Sequence, residues 1–341
     1  LPPLYNVEEL ENPMKAPART AIFLLSALLL CLPQAFAQSP LTLTLGHGNA
    51  PNNPKSKAAE QFAELVKEKS GGKIAVAIEG GAKLGDDLAM IISVSTGKLD
   101  LSINSQGAAS SLVPDLSAIG LPYAFATSAK AWEVLDGPIG QDLAKKLEAK
   151  GVIVIGWMDN GIRQITNSKH PVVKPEDMIG LRIRTTTDKS IMDTMTVLGA
   201  SPVPMNFSTV YDALKQKFVD GQDNPLANIH SAKLHEVQQY ISITNHNYSV
   251  APFVMSRQAW EKLSSDQRGW IKAAAQDATA AQRKAMADSD VLLLAEYEKM
   301  PSVKVNKADQ AAFKAAVKKV WDNWELKPFG AFVKKLRAVS N

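Results

Sequence analysis

Residues 41–79 read LTLTLGHGNAPNNPKSKAAEQFAELVKEKSGGKIAVAIE, and this stretch decides the class of the fold. Leu41 to Leu45 alternates as a half-buried strand does, Lys57 to Lys69 is an amphipathic helix closed by Gly71-Gly72, and Lys73 to Ile78 is a second strand. Strand, helix and strand in succession are the unit of an α/β lobe with a largely parallel sheet.

The same rhythm continues outward. Leu84 to Ser95 reads as helix, Leu99 to Ile103 as strand and Val152 to Trp157 as a buried strand, which builds a first lobe. From Gly161 it restarts with strands Ile162 to Thr166 and Leu181 to Thr185, helices Lys189 to Leu198 and Ser208 to Lys217, and strand Phe218 to Gly221. Two further strand-like runs, Gln239 to Thr244 and Pro252 to Ser256, return the chain, so the lobes are expected to be joined by more than one crossing, as in a hinge. A capping box at Ser264-Ser265-Asp266-Gln267 opens a helix that meets no proline before Pro301. At 1.5 Å per residue it spans roughly 50 Å, enough to brace both lobes.

The N-terminus has the pattern of an export signal. Lys15 and Arg19 precede an apolar run from Ala21 to Leu32, and Ala35-Phe36-Ala37 has the small-x-small form of a cleavage site. The expected signal peptide is Met14–Ala37, with residues 1–13 as upstream sequence and the mature protein in the periplasm. A run of about 12 residues rises only about 18 Å, short of a roughly 30 Å hydrocarbon core. Cys31, the single cysteine, leaves with this segment, and the thiol-free remainder excludes disulfides and thiolate chemistry. The formal charge of the whole chain is +4, and the leader holds Glu8, Glu9 and Glu11 against Lys15 and Arg19, so the mature charge is near +5. No basic block accompanies it; nucleic acid is not an expected partner, whereas small anions are.

Enzyme motifs are missing. There is no G-x-S-x-G, H-E-x-x-H or G-x-x-x-x-G-K-[ST] pattern, Gly46-His47-Gly48 lacks the third glycine of a dinucleotide loop, and the five histidines include no i, i+4 pair. No catalytic residue, metal or cofactor is expected. Arginine chemistry at strand ends stands out instead. Arg163 opens the strand from Ile162, Arg184 ends the strand from Leu181, and Asn224 follows the turn from Asp220 to Asp223. Ligands of open α/β sheets sit beyond such ends, and a guanidinium fork matches a carboxylate bidentately. Ordinary surface cations give the same pattern, and Arg182 and Arg184 share a strand face, so spacing leaves both questions open.

From Leu41 to Lys262 the chain resembles the DctP-type solute-binding proteins of tripartite ATP-independent periplasmic (TRAP) transporters. The matching segments, in family order, are KAAEQFAELVKEKSGGKI from Lys57, KLGDDLAM from Lys83, LPYAF from Leu121, NGIRQITN from Asn160, PEDMIGLRIRT from Pro175, LGASPVPMNFSTVYDAL from Leu198, and VDGQDNPLANI from Val219 with EVQQYISITNH from Glu236. The resemblance implies a periplasmic-binding-protein-like α/β fold of two lobes, a ligand cleft between them and a long helix across both. The expected boundaries are residues 38–161 with 250–289 for lobe I and 162–249 with 290–341 for lobe II. It also implies the roles of individual residues: Arg184 as the carboxylate-binding arginine, Arg163 as a second arginine, Asn224 as a cleft amide, Phe207 as a ligand-packing aromatic, and Asp87 and Thr187 as further cleft positions. Ser105 and Ala108 stand where the sialic-acid branch has a glutamate and an arginine, which disfavours sialic acid. Smaller organic acids remain, with Asn104, Ser105 and Gln106 expected on the first lobe's side, and His47 and Trp157 more in keeping with packing. The implied partners are the small and large membrane subunits of a TRAP transporter. The alternatives are a periplasmic enzyme acting on organic acids, or the binding protein of an ATP-driven transporter or a sensor.

Overall fold

The computed structural model describes residues 40–340, so the leader expected at Met14–Ala37 lies outside the described residues. Nine strands form one mixed sheet: β1 Leu41–His47, β2 Ile74–Glu79, β3 Leu101–Ile103, β4 Val152–Asn167, β5 Arg182–Thr185, β6 Ser201–Pro204, β7 Gly221–Asn224, β8 Tyr240–Ser256 and β9 Lys304–Lys307. Their order is β2-β1-β3-β8-β4-β7-β5-β6, with β9 on β8. Lateral pairings are parallel, as expected (β1 with β2 and β3, β5 with β6 and β7). The centre is antiparallel, which corrects the expectation of largely parallel sheets.

That centre is the waist joining the two lobes. β4 and β8 run 16 and 17 residues and pair from Val152↔Ser256 to Asn167↔Tyr240. β3 docks on the last residues of β8 and β7 on the last residues of β4, so each lobe's strands add to an opposite end of one ribbon. The sequence pattern divided each of these long strands in two. Instead of breaking at Asp159-Asn160-Gly161, β4 absorbs the irregularity in register shifts at Val154/Gly156, Asp159/Gly161 and Arg163/Ile165. Gly161 takes φ +111°, and a Cβ there would lie 3.0 Å from the Pro225 side chain, so the kink requires glycine.

Helix α1, Pro54–Lys69, begins three residues earlier than its apolar pattern suggests, because the Asn53 side chain accepts from the Lys55 amide at 3.0 Å and Pro54 takes the first helical position. Helix α2, Asp87–Ser95, begins three residues later than expected, since Asp86 is its cap and accepts from the Ala89 amide at 2.9 Å. The expected helix from Ser208 is a 3-10 turn, Phe207–Thr209, followed by helix Val210–Lys215. β7 lies at Gly221–Asn224 and not at Phe218–Gly221, and Phe218 is exposed.

The long helix runs Ser265–Tyr297, and its capping box is formed: Ser264 Oγ accepts from the Gln267 amide at 3.2 Å and Gln267 Oε1 from the Ser264 amide at 2.8 Å. Its first half packs Ile271, Ala274, Ala275 and Ala278 into a core with Leu45, Phe62 and Phe253. Its far end places Tyr297 in a separate core with Val210, Leu214 and Ile229. Burying such apolar surface contributes about 25 cal/mol per Å², so the helix is held at both ends by the same kind of force. Midway, Gln282 Nε2 donates to the Asp159 carbonyl at 2.7 Å while its Oε1 accepts from the Asp159 amide at 2.8 Å. Helices Gln310–Glu325 and Gly330–Val339 close the fold, with Trp321 Nε1 donating to the Pro122 carbonyl at 2.9 Å and Trp324 Nε1 to Asp193 Oδ2 at 2.7 Å.

Candidate functional site

The strand ends, α1, α2 and the loop after β6 meet around a cavity of about 90 Å³. A buried water needs at least roughly 10–15 Å³ of such space, so the cavity has room for several waters. All seven residues singled out from the sequence line it: Asp87, Ser105, Arg163, Arg184, Thr187, Phe207 and Asn224.

Arg184, on β5, is 2% exposed. Its Nε and Nη2 donate to the Met205 carbonyl at 3.2 and 2.7 Å, and Nη1 is buried with no partner. The Phe207 ring lies 5.8 Å from the guanidinium carbon. Burial lowers the guanidinium to about 10, which leaves it charged at neutral pH. Arg184 forms no ion pair among the described residues, so its charge faces the cavity without a protein counter-ion.

Arg163 is placed differently from its expected position. It lies inside β4 and not at a strand opening, because the two expected strands are one. Its Nε donates to Asp223 Oδ2 at 2.5 Å, Nη2 to the Asp223 carbonyl at 2.6 Å and Nη1 to Ser249 Oγ at 3.3 Å. Burial alone would raise the Asp223 carboxyl, but the adjoining Arg163 cation and the His246 ring 3.6 Å away hold it well below the usual carboxylate range. Arg163 therefore lines the cavity with each of its three nitrogens already donating to the protein, and Asp223 neutralises it.

Asp87 begins α2 and accepts the Ser105 amide on Oδ2 at 2.8 Å; burial pushes its carboxyl up. Ser105 stands before the short helix Gln106–Ser110 at the cavity wall, with no capping bond from its side chain. Thr187 is exposed in the loop after β5. Asn224 closes β7, donating to Gln222 Oε1 at 2.5 Å and accepting from Asn228 Nδ2 at 3.2 Å. Asn104 also lines the cavity, but Gln106 does not: its amide is committed to Asp188 Oδ2 at 2.9 Å and to the Val250 amide at 3.1 Å. His47 and Trp157 are buried and do not line it.

Sequence reasoning missed Lys55, Asn160, Asn206 and Asn228. Lys55 is 4% exposed in the first turn of α1, with its ammonium against Asn160 Oδ1 and 3.4 Å from Asn228 Oδ1. A signal was present, since a cation in a helix's first turn opposes the macrodipole and breaks a local rule. The asparagines link the halves: Asn228 Nδ2 donates to Asn160 Oδ1 at 3.2 Å, and Asn53 Nδ2 to Asn228 Oδ1 at 2.9 Å. At the mouth, Asn206 Nδ2 donates to Asp86 Oδ2 at 2.6 Å, tying the loop after β6 to the cap of α2.

Burial lowers the Lys55 ammonium to about 8, with Asp87 and Asp159 opposing that shift and Arg163 adding to it. The unfolded lysine, near its ordinary value of about 10.4, binds more protons between those limits. Stability therefore rises with pH from about 8 to about 10.5, by up to ~1.4 kcal/mol per unit. Urea unfolding across this range should show the rise in the native protein and lose it in Lys55→Met; an unchanged rise in the variant would assign it elsewhere.

The chain matches the family model of bacterial extracellular solute-binding protein, family 7 (DctP), over residues 45–327. It is 47% identical to the uncharacterized protein y4mM of Sinorhizobium fredii over 284 residues, 83% of this chain but 52% of that one, so it spans about half that relative's length. It is 32% identical over 286 residues to the 2,3-diketo-L-gulonate-binding periplasmic protein YiaO of Escherichia coli, covering 83% of this chain and 87% of the relative. Among solved structures, the sugar acid binding protein DctPAm of Advenella mimigardefordensis, in complex with galactonate, superposes with a TM-score of 0.85 at 34% identity, covering 89% of this chain and 98% of the other. With its two-lobed fold and a match that runs through most of its length, this chain belongs to the DctP family of TRAP transporter solute-binding proteins.

Proposed function

We propose that this protein is the extracytoplasmic binding component of a TRAP transporter, that it captures a small organic acid in the cavity between its lobes, and that it delivers the acid to the small and large membrane subunits. The observation that carries this reading is the buried, unpartnered Nη1 of Arg184, a cavity-lining cation that forms no ion pair among the described residues. A buried donor without an acceptor costs about 1–3 kcal/mol, more when charged, and a ligand carboxylate relieves that cost. Relatives support the same class: galactonate is a carboxylate, and so is the diketogulonate in the name of the Escherichia coli relative. The reading includes export by Met14–Ala37 to the periplasm, lobes divided near residues 161 and 250, and a ligand set of Arg184, Arg163, Asn224, Phe207, Thr187, Asp87 and Ser105. The family is one of solute binding, and no catalytic step is part of the reading.

Closure follows from the same groups. Asp86 and Asn206 meet across the mouth, and Lys55 meets Asn160 and Asn228 across the floor, so a bound acid adds its own bonds to an existing set of cross-cavity contacts. A thermal-shift panel of carboxylates, neutral sugars and amino acids tests this on the protein from Gln38 onward. At 100 times its dissociation constant a ligand adds about 2.7 kcal/mol. Stabilisation confined to carboxylates is the expected result; a silent carboxylate set, or stabilisation by neutral sugars alone, would remove the basis of the reading.

A further inference from the structure

We propose that the cavity selects monocarboxylic acids with hydroxyl groups along the chain, sugar acids by chemical class, over dicarboxylic acids, and that Asn104 and Asp87 read those hydroxyls. This rests on the reading of the cavity as a carboxylate site and goes on to say what the rest of the ligand must offer.

The cavity lining holds one unmet donor and one unmet acceptor. Arg184 Nη1 is an unpartnered donor, which one carboxylate satisfies. Asn104, 2% exposed, presents the opposite need: its Nδ2 is committed to Ser102 Oγ at 2.6 Å, and its Oδ1 is buried with no donor. An ionised carboxylate only accepts, whereas a hydroxyl both donates and accepts. A dicarboxylate would therefore leave Asn104 Oδ1 as it is, and a hydroxy acid would supply the missing hydrogen.

Asp87 points the same way. It shares the wall with Asn104 and holds the Ser105 amide on Oδ2 alone, and its Oδ1 lies toward Gly48 at the cavity edge. A second ligand carboxylate on this side would lie on the wall that holds the Asp87 carboxylate, and a nearby like charge disfavours the ionised form. A hydroxyl meets no such opposition, because it donates to Asp87 and accepts from Lys55, the cation across the cavity floor. These groups come from α1, α2 and the end of β3, while Arg184 comes from β5, separated from β3 by three intervening strands in the sheet. The carboxylate end and the hydroxyl end are thus set by different lobes.

Calorimetry on the protein from Gln38 onward, with D-erythronate, D-galactonate, succinate, butyrate and galactitol as probes, tests the proposal. At least one hydroxy acid should bind ~100-fold or more tighter than both succinate and butyrate, the discrimination expected of a site built to hydrogen-bond hydroxyls, and galactitol should not bind. Asp87→Asn and Asn104→Leu should each reduce the ratio of hydroxy acid to succinate affinity by tenfold or more. A ratio between two ligands of the same variant is insensitive to a partial loss of folded protein. Succinate binding as tightly as the hydroxy acids, or a ratio unchanged in both variants, overturns the selection while leaving the carboxylate site intact. Failure of every acid to bind overturns both.

Discussion

Arg184→Ala should weaken carboxylate binding by at least ~100-fold, the largest effect on function expected of any single substitution. The guanidinium is held by one carbonyl, that of Met205, which fixes Nε and Nη2 and leaves Nη1 without a partner in a residue that lines the cavity. Charge-assisted hydrogen bonds are worth roughly 1.5–3 kcal/mol each, and losing two of them corresponds to about 10² to 10⁴ in affinity. Arg184→Lys keeps the charge but not the planar fork, and should still lose more than tenfold. Calorimetry with the best acid of the thermal-shift panel measures both, and urea unfolding checks that each variant is folded. Near-native affinity in a folded Arg184→Ala protein would show that the acid is anchored elsewhere.

Asp223→Asn should cost about 3–5 kcal/mol of stability, the largest structural effect expected. Asp223 and Arg163 are 0% and 1% exposed and lie on adjacent strands β7 and β4. Removing one partner of such a pair leaves a buried charge uncompensated, and the asparagine is close enough in shape that little else changes. The pH dependence has a definite sign. The folded carboxyl lies below its unfolded value, so its contribution is complete above about pH 4 and is lost as pH falls toward the folded value. The stability gap between native protein and variant should accordingly narrow in acid. A gap below about 1 kcal/mol at neutral pH would mean that Arg163 is held by Ser249 and the Asp223 carbonyl without the carboxylate.

The long helix was legible because its signals are local: a capping box, then no proline for more than thirty residues. The waist was not, because β4 carries Asp159, Asn160 and Arg163, all buried by contacts remote in sequence, and a polarity pattern takes them for a break. β7 failed for the same reason. Gly221–Asn224 has no β-branched residue, and it is a strand because Arg163, Thr166 and Asn228 satisfy its side chains. The seven expected site residues do converge, yet spacing alone could not choose Arg184 over Arg182. In the structure, Arg182 is 47% exposed and paired with Asp220, while Arg184 is enclosed. Lys55 and the asparagines escaped notice because their role exists only where α1, β4 and helix Leu226–Ser231 meet.

Gln282 has a mechanical consequence. By donating to and accepting from the same residue, Asp159, it completes hydrogen bonds on β4 as a neighbouring strand would, and with Arg283 Nε, which donates to the Trp157 carbonyl at 3.0 Å, it pins the middle of the long helix to the waist. Sliding along the strand would break these bonds, whereas a small turn about that point can keep them. The helix extends 15 residues beyond Gln282 to Tyr297, about 22 Å, and 17 residues back to Ser265, about 25 Å. A turn of about 10° would carry each end by about 4 Å in opposite directions. Such a turn would move the far arm most visibly, since it bears the exposed Val291 and Leu292.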